Sequence, residues 1–169
     1  AMAMAASATQ YSKLAIITAA KAAGRWDGLK AWIQLYGPPA WTLPPGMGKT
    51  GEFEPAPFNL DDWGNAIDTL AKRYTDKLYG FEFLNEIVPG ESCEDPVKTY
   101  VDICRVGYET VKKNDPNLVC QLAGGLWPHS FRTDVLNAGV GKYVDVLNRD
   151  SYGMSSAKDS WCVSTRSAR

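Results

Sequence analysis

The segment Gly80-Phe81-Glu82-Phe83-Leu84-Asn85-Glu86 concentrates the side chains with most capacity for chemistry in this 169-residue chain. The run from Tyr79 to Leu84 reads as a strand, and side chains alternate in direction along a strand. Glu82, Leu84 and Glu86 are therefore expected to share one direction, with Glu86 at the strand's end and Glu82 deeper. A carboxyl between apolar walls has its charged form desolvated, which raises its pKa and suits a general acid near neutral pH. Asn85, next in line, can offer its amide hydrogens to a hydroxyl. Asn-Glu is a common dipeptide, and by itself it points first to a solvated loop start after a strand.

The elements that would position these groups alternate between helix and strand, which points to an α/β fold with a parallel sheet. Tyr11 to Ala23 reads as a helix stopped by Gly24, and Leu29 to Tyr36 as a buried strand. Gly37 to Pro57 is a long loop dense in Pro and Gly, of a length often kept for function. A helix begins near Asp61, with Trp63, Ile67, Leu70 and Tyr74 at helical spacing. Asp95 suits an N-cap and Pro96 the first position of a further helix. Its expected stripe is Val97, Tyr100 or Val101, Cys104, Tyr108 and Val111, and Asn114-Asp115-Pro116 ends it. Leu118 to Ala123 reads as a third strand closed by Gly124-Gly125. Phe131 to Asn137 reads as a short helix with Gly139 past its end, and Tyr143 to Leu147 as a fourth strand. Trp32 and Trp63 are expected in the core.

The composition, 45% hydrophobic and 22% charged, is that of a globular domain. A net charge of -1 gives no general pull toward nucleic acid or an anionic membrane. No apolar run reaches the roughly 18 residues that a membrane span needs. Gly124-Gly125 precedes no phosphate-loop lysine and belongs to no G-x-G-x-x-G pattern, so no nucleotide cofactor is expected. No metal is expected either: the four cysteines, Cys93, Cys104, Cys120 and Cys162, form no C-x-x-C pair, and His129 is the single histidine. A Cys93–Cys104 bridge and four free, mostly buried thiols both remain open. A surface or helix-cap role is expected for His129. Residues 1–10, rich in Ala and Met, read as an extension added to the fold, without the basic and long apolar regions of an intact signal peptide. Residues 154–169 are Ser-rich and aperiodic and read as an irregular tail.

Placed in order, these pieces resemble the large clan of retaining (β/α)8-barrel glycoside hydrolases in which one barrel strand ends in Asn-Glu. Leu35-Tyr36-Gly37-Pro38-Pro39-Ala40-Trp41 resembles the end of the third barrel strand, where a Pro-x-Trp element lines the sugar cleft. Asp62-Trp63 through Arg73-Tyr74 resembles the helix before the acid/base strand. Asn114-Asp115-Pro116, a strand and Gly124-Gly125 resemble the fifth-strand region. Asp145 through Tyr152 resembles the sixth strand, whose family pattern ends in His-x-Tyr. The resemblance covers residues 11–153 and implies a partial TIM barrel, from about strand 3 to strand 6. Xylosidase-like, cellulase-like and mannanase-like members fit equally.

The resemblance implies an O-glycosyl hydrolase acting on β-linked oligo- or polysaccharide, in a secreted or extracellular setting. Glu86 would be the acid/base, and Asn85 would hold a sugar hydroxyl. Trp41, Trp127, Asp150 and Tyr152 would line the substrate site, although Trp127 is also simply a large apolar residue. The chain departs from the pattern at two points. Asp150 stands where the family has His, and the family's nucleophile strand lies beyond Tyr152, after which the only carboxylate is Asp159. Retaining hydrolysis needs two carboxyl groups about 5 Å apart. A non-catalytic carbohydrate-binding or scaffold remnant is therefore the alternative. Exposed sheet edges would favour self-association.

Overall fold

The structure is a computed structural model that describes residues 30–35, 43–44, 59–91 and 93–148. Strands β1 (Ala31–Leu35), β2 (Leu78–Phe83) and β3 (Val119–Leu122) form one parallel sheet in the order β1-β2-β3. Helix α1 (Leu60–Tyr74) lies between β1 and β2 in the chain, and helix α2 (Pro96–Asn114) between β2 and β3. Helix α3 (His129–Asn137) and a 3-10 turn at Val140–Lys142 follow. The described residues are therefore α/β with a parallel sheet, as the alternating pattern predicts. The readings for residues 1–10, for Tyr11–Ala23 and for the 154–169 tail lie outside the described residues, as do Trp41, Asp150, Tyr152 and Cys162. So does the loop expected over Gly37–Pro57, except for Leu43 and Pro44.

Local chemistry sets the helix starts. Asn59 caps α1, its side chain accepting from the amides of Asp61 (2.8 Å) and Asp62 (3.3 Å). Asp95 caps α2 by accepting from the Lys98 amide (2.9 Å), with Pro96 in the first turn, where its missing N–H costs nothing. The Asp115 amide closes α2 onto the Val111 carbonyl.

The sheet's two faces differ. Ile33, Leu35, Phe81, Phe83, Cys120 and Leu122 alternate onto one face and are almost completely buried. Trp63 of α1 meets Phe83 edge-on at 6.2 Å, and α2 comes so close that a Cβ on Gly107 would lie 2.7 Å from the Phe83 ring. Both helices therefore cover the same face. Trp63 also donates its indole N–H to the Ile103 carbonyl (3.0 Å), tying α1 to α2. Trp32, Gln34, Glu82, Val119 and Gln121 alternate onto the other face. Gln34, Glu82 and Gln121 are register partners, so a polar row crosses all three strands there.

Two expectations are corrected. Trp32 is not core: it is 39% exposed and leans on Tyr79, with ring centroids 5.1 Å apart. Its alternation puts it on the face that α1 and α2 leave uncovered. Tyr143–Leu147 is not a strand: it makes a single parallel bridge, Val146 to Gln121. The Asp145 carboxylate occupies the Cys120 amide (2.8 Å), while the Asp145 and Val146 amides both donate to the Cys120 carbonyl. A side chain thus takes a ladder position at the β3 edge, and Lys112 pairs with the same carboxylate at 2.7 Å. Of the two cysteine readings, free thiols hold for Cys93, Cys104 and Cys120, all buried.

Candidate functional site

β2 ends at Phe83, and the backbone then leaves the extended region. Leu84 has φ 64° and Glu86 has φ 45°, the only non-glycine positive values among the described residues. L-residues enter this region at a cost of order 1–2 kcal/mol each. Such strain persists where surrounding contacts over-determine it, often at functional sites. The alternation expected to carry Glu82, Leu84 and Glu86 in one direction therefore stops at Phe83. Leu84 is buried in the core, whereas Glu86 is half-exposed.

The contacts holding this turn come from β3 and α2. The Tyr100 hydroxyl donates to the Phe83 carbonyl (3.0 Å) and accepts from the Ala123 amide (3.0 Å), joining the ends of β2 and β3. Burial pushes the Tyr100 phenol well above its ordinary pKa. Its hydroxyl proton therefore stays in place as the donor to Phe83. The Gly124 amide donates to Glu82 Oε1 at 3.1 Å. Past the turn the two chain segments meet again, with Ile87 bridged to Leu126 and the Trp127 amide donating to the Ile87 carbonyl (2.9 Å).

Gly125 closes onto Glu86 inside this frame. A Cβ at Gly125 would stand 3.0 Å from Glu86 Cγ, 3.2 Å from Glu86 Cα and 3.3 Å from Trp127 Nε1. A glycine lets this backbone approach so closely without displacing either side chain. Glu86 and the Trp127 indole are thus brought to the same glycine. Trp127 is 40% exposed, and its ring lies 5.0 Å from that of His129 at the start of α3. His129 is exposed but does not cap the helix, because Pro128 occupies that position. Asn85 accepts a hydrogen bond from Gln34 Nε2 at 2.7 Å, which orients its amide.

Glu86, Asn85 and Trp127 therefore gather at the carboxyl ends of β2 and β3. Tyr100, Glu82, Gly125 and Gln34 support them. Tyr100 is visible in the sequence only as an apolar stripe position, and Gln34 carries no signal there. Among the described residues no group of three or more His, Cys, Asp and Glu side chains could hold a metal ion, and no helix is long and apolar enough to cross a membrane.

Fold and site together define an α/β unit with a carboxylate at the end of its central parallel strand. Comparisons with protein-family models, with curated proteins and with solved structures found no match to this chain.

Proposed function

We propose that this unit is part of a (β/α)8 barrel and that Glu86 is the acid/base carboxyl of a glycoside hydrolase acting on β-linked oligo- or polysaccharide. The observation that carries the reading is Glu86 itself. It sits at the carboxyl end of the central strand, in a left-handed backbone held against Gly125, beside an exposed tryptophan. Barrel enzymes place catalytic groups at that end of their strands. The strand order follows the chain order, and α1 and α2 share one face. That arrangement agrees with a singly wound sheet whose other face turns inward.

In this reading Glu86 protonates the glycosidic oxygen as the bond to the leaving sugar breaks, then takes a proton from the attacking water. Asn85 holds a hydroxyl of the reacting sugar, and the Trp127 face stacks on a ring. Trp41 and Tyr152 would complete the cleft, and the nucleophile would be supplied by a further strand. The test is hydrolysis of aryl β-glycosides, xylan, glucan and mannan by a complete barrel that includes the nucleophile strand, compared with the same barrel carrying Glu86→Gln. Loss of an acid/base group should cost roughly 10²–10⁴-fold in turnover. If Glu86→Gln cleaves every substrate as fast as the wild type, the reading is wrong.

A non-catalytic sugar-binding role is the second reading, favoured by Asp150 standing at the pattern's His position. It predicts that calorimetry detects oligosaccharide binding with no turnover, and that Glu86→Gln leaves this binding intact.

A further inference from the structure

Glu82 is the only buried charged residue among the described residues, at 8% exposure. Burying a carboxylate is costly unless it is hydrogen-bonded. It lies in the central strand, flanked in register by Gln34 and Gln121, and reaches solvent less than Glu86 does. Its Oε1 accepts from the amide of Gly124, the residue immediately before the glycine packed on Glu86.

We infer that Glu82 is a positioning residue for Glu86, acting through the Gly124-Gly125 backbone. Glu82 Oε1 fixes Gly124, Gly124 carries Gly125, and Gly125 lies so near Glu86 that an added Cβ would stand 3.2 Å from Glu86 Cα and 3.0 Å from Cγ. Tyr100 anchors the preceding residue, Ala123, while the Trp127 amide anchors the far side on Ile87. Between these anchors, Glu82 supplies the side-chain acceptor that holds the glycine pair. The function of that pair rests on the reading of Glu86 given above, but the mechanical link does not.

The two variants to compare are Glu82→Gln, which keeps an acceptor oxygen of the same reach, and Glu82→Ala, which removes it. Amide hydrogen exchange and backbone NMR shifts of the full chain would be read beside oligosaccharide affinity. Glu82→Ala should speed exchange at Gly124 at least about tenfold, move the Glu86 resonance and weaken sugar binding by about tenfold. Glu82→Gln should restore all three toward wild type, and exchange at Ile103 and Val111 in α2 should stay unchanged in both variants. Unchanged exchange at Gly124 in Glu82→Ala overturns the inference. So does an equal effect of both variants, because the acceptor oxygen would then not be what matters. Protection lost evenly through α2 also overturns it, since Glu82 would then serve only global stability. A wild-type chain that binds no sugar counts against the reading of Glu86, and the exchange at Gly124 still decides the role of Glu82.

Discussion

Tyr100 of α2 donates its hydroxyl to the carbonyl of Phe83, the last residue of β2, at 3.0 Å. The same oxygen accepts from Ala123, just past β3. One side chain thus serves two strand ends where the parallel ladder breaks. Tyr100→Phe keeps the ring and strands both partners. Leaving buried backbone groups unpaired costs about 1–3 kcal/mol each. Urea unfolding should show a loss of about 2–6 kcal/mol in total. A loss under about 0.5 kcal/mol, the range of ordinary surface substitutions, would mean that water replaces the hydroxyl.

Gly107→Ala sets two effects against each other. Alanine favours a helix over glycine by about 1 kcal/mol. The new Cβ, however, would lie 2.7 Å from the Phe83 ring, which is pinned between α1 and α2. Overpacking of this kind costs about 1–3 kcal/mol. The clash should win, with a lower thermal midpoint. A raised midpoint would show that Phe83 yields without cost.

Gly125→Ala separates site from stability. Its Cβ would meet Glu86 and Trp127 rather than the core. Turnover or sugar binding should fall by about tenfold or more, as roughly 1.4 kcal/mol of misplacement implies. Unfolding free energy should change by less than about 1 kcal/mol. Wild-type activity in Gly125→Ala would show that the close approach has no functional weight.

The buried thiols give a pH signature. Burial pushes Cys120 up to about 12 and raises Cys104 strongly as well. A thiol in the unfolded chain ionises near its ordinary value of 9.0. The folded pKa lies above the unfolded one, so this contribution is full below pH 9 and is lost as pH rises from about 9 toward 12. Chemical denaturation at about pH 8 and about pH 10.5 should show lower stability at the higher pH, and the double variant Cys104→Ala with Cys120→Ala should flatten that difference. Iodoacetamide should label both thiols slowly in the folded chain at about pH 8 and rapidly in urea. Equal labelling rates would contradict their burial.

The sequence makes the elements legible where local signals agree. Asp95-Pro96 marks the start of α2, Gly139 stands past α3 with φ 88°, and the apolar spacing of Trp63 and Ile67 marks the buried face of α1. It misleads where a tertiary partner intervenes. Tyr143–Leu147 is a mostly apolar run, but Asp145 turns its carboxylate onto the Cys120 amide, and pairing with β3 is confined to the bridge between Val146 and Gln121. Trp32 sits in an apolar run, yet the register assigns it to the face shared with Gln34 and Glu82. Glu86 is legible as a strand-end carboxyl. Its left-handed backbone is not, because the glycine packed against it belongs to a distant stretch of the chain, past β3.

The row Gln34–Glu82–Gln121 has a consequence for assembly of the sheet. Parallel strands carry no tight hairpin to set their alignment, so slippage must be opposed by side chains. Moving β1 by one residue would set Ile33 or Leu35 beside Glu82 and turn Gln34 toward Phe83 and the helices. An amide would then lie in the apolar layer and a carboxylate among hydrocarbon. The polar row therefore works as an alignment key, recognised by its mismatch penalty long before any ligand arrives.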